Sequence, residues 1–271
     1  RIRPFVPEGE AVVVYGSGGL GKSLFAQYLA VMVQEGFPDM GIEVEPGPVL
    51  ILDWETSART TSRRLRAIYS GMGIDSSPNV HYRFCHQSLQ AEIEEIQRIV
   101  HDLGIQFVVV DSAGPACGGE PETAQGAIQF FTALRSLKIS SLVIAHKAKA
   151  STDESGPFGS IFFFNYARQV FEIRKAQELG EDILDLAIFH RKANDTKLQR
   201  VRGMRVQFES SLGVNTVSLK AVDVEDTELV GDLPLHQRIV VLLKGGAMDV
   251  KALTEELGEH KGKPVREDTV R

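Results

Sequence analysis

The chain has 271 residues, 43 % hydrophobic and 24 % charged, with a formal net charge of -6. Such a composition buries a sizeable core and excludes a disordered chain, and its acidic balance leaves only a local basic loop or channel for any nucleic-acid contact. Cys85 and Cys117 fit no Cys-x-x-Cys or zinc spacing and read as reduced thiols of a cytoplasmic protein, while no apolar run nears the roughly 18 residues of a membrane span. The first residue is Arg1, not Met, and the last residues fall in a helical pattern, which points to a piece of a longer chain.

In chain order, the apolar run AVVVY (11–15) predicts a buried strand, followed by a helical stretch over 22 to about 34. Between them GSGGLGKS (16–23) satisfies every fixed position of G-x-x-x-x-G-K-[ST]. Glycines at 16, 18, 19 and 21 let the backbone amides of Gly16, Ser17, Gly18, Gly19, Leu20, Gly21, Lys22, Ser23 and Leu24 turn around phosphate oxygens at a helix start. Lys22 is placed to reach the β and γ phosphates of ATP, and Ser23 to ligate Mg²⁺.

VLILDW (49–54) is the next strand, with a helix around 63–69 after it. Two acids close this strand, Asp53 and Glu55, and either is a candidate to polarise a water, against the plain reading of a solvated loop acid. VHYRFC (80–85) precedes LQAEIEEIQRIVHDLG, where Leu89, Ile93, Ile96, Val100 and Leu103 share one helix face. FVVVD (107–111) is a buried strand ending in Asp111, whose carboxylate at the carboxyl end of the sheet is the second candidate group for Mg²⁺. SLVIAH (141–146) ends in His146, a candidate phosphate sensor or an ordinary strand-end histidine. The loop HKAKASTDESGPFG follows, with Lys147 and Lys149 at its root as candidate contacts to the phosphates of a threaded strand, or as solvated loop cations.

The stretch SGPFGSIFFFNYARQ (155–169) carries three consecutive phenylalanines and then Arg168. Consecutive helical positions point in different directions, so core and interface packing is the favoured role of the rings over a base-stacking platform. Gly156, Gly159 and Ser160 would free the preceding loop while the rings anchor its return. From about Val170 the runs VFEIR, ILDLAIFH, MRVQFES and TVSLK predict strands without long helices between them, an antiparallel extension of the same sheet. LPLHQRIVVLLKGG and MDVKALTEELG then predict two short helices, with a third starting near Glu267. They suggest a winged helix-turn-helix cut off before its wing, or an ordinary helical hairpin. The expected fold is therefore α/β, a P-loop NTPase with a mainly parallel sheet over 1–226, and a partial winged-helix-like segment over 227–271.

Taken in order, GSGGLGKS, LDWETS, VVVDS, VIAHKAK, GS…NYAR and HRKAND make residues 10 to 220 resemble a RecA-type ATPase, more narrowly the RepA-like and DnaB-like hexameric replicative helicases. The resemblance implies that Glu55 is the catalytic base, that His146 senses the γ phosphate, and that Lys147 and Lys149 belong to a pore loop touching single-stranded DNA. It implies a homo-oligomeric ring, a hexamer, with ATP and Mg²⁺ as cofactors, and a primase or polymerase as a possible fused or separate partner. It also implies a basic residue supplied across the subunit boundary. Arg168 fits that role, with Lys192 assisting and Arg191 a lesser candidate, because HRKAND lacks the arginine that many DnaB-like chains carry two residues after the lysine. A RecA/RadA-like filament-forming recombinase and a KaiC-like regulatory ATPase without a DNA motor are the alternatives.

Overall fold

The computed structural model describes residues 1–119, 123–147, 161–177, 181–211, 214–260 and 263–270. A short ribbon pairs β1 (Ile2–Arg3) with β3 (Glu43–Val44), flanking β2 (Ala11–Gly16) and α1 (Lys22–Glu35) in the chain. Next come β4 (Val49–Asp53), α2 (Ala58–Gly71), β5 (His81–Phe84), α3 (Leu89–Asp102), β6 (Phe107–Asp111), the short α4 (Ala113–Ala116), α5 (Ala124–Ser136) and β7 (Ser140–His146). The third part comprises α6 (Ile161–Tyr166), β8 (Gln169–Ala176), β9 (Ile183–Ala193), β10 (Arg202–Ser211) and β11 (Val214–Val222).

The main strands form one sheet of order β11-β10-β9-β8-β2-β7-β6-β4-β5. From β8 to β5 the pairs are parallel, and from β8 to β11 they are antiparallel, so the expected extension lies on the P-loop side of the sheet. The parallel strands β2, β4 and β6 are buried along their whole length, as continuous Val/Ile/Leu runs require when helices cover both faces.

One face carries α1 and α2 over a core that includes Phe25, Leu29, Ile51, Ile68, Val109 and Phe171. The other carries α3, α5 and α6 over Leu52, Ile96, Val110, Phe130, Phe131 and Phe163. Of the three phenylalanines only Phe163 is fully buried, packing on Phe130 and Phe131 at centroid distances of 5.5 and 5.4 Å, while Phe162 and Phe164 lie at the edge of that core. Gly156, Gly159 and Ser160 lie outside the described residues.

The C-terminal segment begins with two 3-10 turns, Val224–Asp226 and Glu228–Asp232. Val224, Leu229 and Leu233 pack on Phe189 of β9, with Val241 of α7 (Leu235–Lys244) against them. After α8 (Val250–Leu257) a two-residue ribbon, β12 (Glu259–His260) with β13 (Lys263–Pro264), precedes α9 (Glu267–Val270). The ribbon thus comes before the third helix, where the sequence pattern gave no strand.

The end of α2 passes against β11, and a Cβ on Gly71 would lie 1.9 Å from the carbonyl oxygen of Val217. Gly71→Ala therefore forces helix and strand apart and is expected to lower stability by about 1–3 kcal/mol, read as a shift in the urea unfolding midpoint. An unchanged midpoint would show that this contact is not rigid.

Candidate active site

The carboxyl ends of β2, β4, β6 and β7 open on one cleft of ≈ 790 Å³, lined among others by Gly19, Lys22, Ser23, Glu55, Asp111 and His146. The loop from β2 to α1 turns on Gly19 and Gly21, whose φ angles of +69° and +77° are left-handed and suit glycine. No side chain caps the N-terminus of α1, which leaves its first amides to an anion. Lys22 is 5 % exposed and parks its Nζ on the loop itself, donating to the carbonyls of Gly16 (3.0 Å) and Ser17 (2.7 Å). Burial pushes its pKa down, against the opposing pull of Asp111 and Glu55.

Asp111 is buried, and burial pushes its carboxyl up to about 6, opposed by a hydrogen bond with Ser23 and reinforced by the charges of Glu55 and Asp53. Ser23 and Asp111 form an all-oxygen donor pair at the mouth of the P-loop, fitting a hard divalent cation that takes its other ligands from water and phosphate. Among the described residues no cluster of three or more His, Cys, Asp or Glu could cage a metal.

The two acids at the end of β4 have different surroundings. Asp53 is 1 % exposed and shapes the turn: it accepts from the backbone amides of Glu55 and Thr56 (2.8 Å each), from the Thr56 hydroxyl, and at 3.3 Å from Thr61 and Tyr82. Its lone pairs are spent there. Glu55 projects into the cleft, where its Oε1 accepts from the Ser112 hydroxyl and lies 3.4 Å from His146 Nε2.

Arg64 of α2 was not singled out in the sequence. It lines the same cleft, its charge draws the Asp111 pKa downward, and its buried NH1 has no hydrogen-bond partner among the described residues. The signal was present: Arg64 sits between Thr61, Leu65 and Ile68 on the core-facing stripe of α2, where an arginine is out of pattern.

Other candidates lie elsewhere. The amide of Arg168 bonds the carbonyl of Ala11 at the start of β2, roughly 16 Å of strand below the P-loop, and its side chain rests on Glu10 (3.3 Å). Lys192 donates to the carbonyls of Phe164, Asn165 and Ala167 at 2.7–2.8 Å, closing the C-terminus of α6 next to Arg168. Neither reaches the cleft of its own chain. Lys147 is held by Glu172 at 3.2 Å, a carboxylate whose side chain is 3 % exposed and which Arg174 and Arg191 also bind. Lys149 lies outside the described residues.

The AAA domain family profile matches residues 1–152. No curated protein matches the sequence. Among solved structures, a KaiC-like protein from the hyperthermophilic archaeon Pyrococcus horikoshii OT3 superposes with a TM-score of 0.53 at 18 % identity, covering 80 % of this chain and 92 % of that one. The fold is that of a RecA-like P-loop ATPase. No helix among the described residues is long and apolar enough to cross a membrane.

The raised Asp111 pKa carries a stability consequence. The folded chain holds this proton where the unfolded chain has lost it, so the group favours folding at low pH and the benefit fades as pH rises to about 6. Asp111→Asn should stabilise the ligand-free protein at neutral pH by on the order of 2 kcal/mol, with the difference vanishing near pH 4, as measured by denaturant titration. An equal effect at both pH values would contradict the burial of that charge.

Proposed function

The chain belongs to the AAA domain family, and on that premise we propose that it forms a closed ring, a hexamer of identical chains, and is a RecA-like ATPase that hydrolyses ATP with Mg²⁺ and moves along single-stranded DNA in the replication of a plasmid, phage or mobile element.

 The observation that carries the nucleotide chemistry is the convergence of Lys22, Ser23, Asp111, Glu55 and His146 on one cleft.

In this reading the amides of the P-loop and Lys22 bind the phosphates, Lys22 leaving the carbonyls of Gly16 and Ser17 to do so. Ser23 and Asp111 would hold Mg²⁺, which supplies neutralisation of phosphate charge. Glu55 accepts the proton of the attacking water, with Ser112 and His146 fixing its carboxylate. Arg64 offers its unpartnered NH1 to the phosphate from within the same chain. Arg168 faces away from its own cleft, and this supports a role in a neighbour's site, while Lys192 holds the turn that presents it. The helices over 227–271 are the partial winged-helix-like segment of this reading.

The ion pair of Lys147 with Glu172 is the one observation that favours a second reading, a regulatory ATPase of the KaiC-like kind without a DNA motor, because a lysine bound to a buried carboxylate is not offered to DNA. Stimulation of hydrolysis by single-stranded DNA separates the two: the motor reading requires it, and its absence leaves the regulatory one.

Glu55→Gln should keep nucleotide binding and lower the hydrolysis rate by about 10²–10⁴-fold. Arg168→Ala should lower it by about 10³-fold or more. When the two variants are mixed, interfaces that join an intact Glu55 to a neighbour's intact Arg168 should recover activity; no recovery at any mixing ratio counts against action across the interface.

A further inference from the structure

A second lysine stands on the P-loop. Lys175 of β8 donates from its Nζ to the carbonyl oxygen of Gly19 at 3.3 Å. This repeats what Lys22 does from the other side of the loop, where its ammonium rests on the carbonyls of Gly16 and Ser17.

The placement follows from the packing of β8 and β9 against the loop. β8 runs parallel to β2, with Glu172 opposite Tyr15, so the residues after Glu172 continue alongside the P-loop. The approach is close: a Cβ on Gly16 would lie 2.6 Å from the carbonyl oxygen of Ile173, and one on Gly21 would lie 3.3 Å from Leu184 Cδ2. The first and last glycines of the motif, Gly16 and Gly21, therefore admit the β8 and β9 strands as well as the turn itself. On β8, side chains alternate between faces. Ile173 packs in the core beneath α1 and Gln177 lines the cleft, and Lys175 lies between them in the same alternation.

We propose that Lys175 is a phosphate ligand in its own chain, exchanging the Gly19 carbonyl for an oxygen of the terminal phosphate when a nucleoside triphosphate occupies the P-loop. This rests on the reading of the cleft as a nucleotide site. An ammonium bound to a neutral carbonyl gains when an anionic oxygen replaces it, because charge-assisted hydrogen bonds between ions are shorter and stronger. The exposed position of Lys175 keeps the cost of that move small, since no buried partner is abandoned. Gly19 is exposed and lines the cleft, and the proposed contact is with the outermost phosphate, leaving a diphosphate largely unaffected.

The test is calorimetric titration of Mg²⁺ with ADP and with a non-hydrolysable ATP analogue into the wild-type chain, Lys175→Ala, Lys175→Arg and Lys22→Ala, each first shown to unfold at the wild-type temperature. The expected result for Lys175→Ala is about a tenfold weaker analogue, the loss of one charge-assisted hydrogen bond, with ADP affinity changed less than about twofold and Lys175→Arg restoring most of the difference. Equal weakening of both nucleotides would make Lys175 a fastener of the loop and overturn the proposal. So would unchanged affinities in Lys175→Ala while Lys22→Ala loses binding, an outcome that leaves the nucleotide reading of the cleft intact. Absence of nucleotide binding by the wild-type chain would remove that reading and the proposal together.

Discussion

The register of the parallel strands is the constraint on which the site depends. Gly16 pairs with His146, Asp111 with Ile144, and Asp53 with Asp111, so four strands end within two residues of one another and the side chains at and just past their ends line one cleft. Backbone bonds extend the ladder past the strands: the amide of Trp54 donates to Asp111, that of Cys85 to Asp53, and that of Lys147 to Gly16. Side chains alternate with a period of two, so a slip of one residue in β6 would turn Asp111 away from Ser23 and into the opposite face. The apolar side chains of β4, β6 and β7 resist such a slip, because each face of the sheet packs on its own set of helices.

Two buried charge clusters built on this ladder differ in kind. Glu172 is satisfied within the chain by Lys147, Arg174 and Arg191, and those partners hold its pKa down despite burial. Arg174 continues to Asp232 at 2.9 Å, joining the sheet to the segment that leads into α7. The cleft lacks this internal balance: Lys22 and Asp111 are both pushed towards their neutral forms, and Arg64 keeps a buried donor unpaired. Burying charge and unpaired donors costs stability, and a phosphate with its cation would offset that cost. Such a site is arranged for a ligand more than for the fold.

Much of this was legible in the sequence because buried parallel strands read as unbroken apolar runs. The strands ending at Gly16, Asp53, Asp111 and His146 were placed to within a residue or so, and the four later strands fell where their short runs predicted. What the sequence leaves open is side-chain engagement. It does not distinguish Asp53, consumed by five donors, from Glu55, or show that Lys147 is tied to a buried glutamate. Nor does it reveal that Lys192 closes a helix, since that depends on carbonyls 25 to 28 residues away in the chain. Lys175 was missed for a related reason, as its partner Gly19 comes from a segment 156 residues away that only the folded sheet brings to it, whereas Arg64 stood out of pattern on its helix.

The most direct test of the account is an image, at side-chain resolution, of the assembly formed with Mg²⁺, a non-hydrolysable ATP analogue and a short single strand of DNA. The account predicts a closed ring in which Arg168 has left Glu10 and meets the phosphate bound at Lys22 of the adjoining subunit. Separate chains, or a ring in which every Arg168 remains on Glu10 with the nucleotide enclosed by one subunit alone, would contradict it.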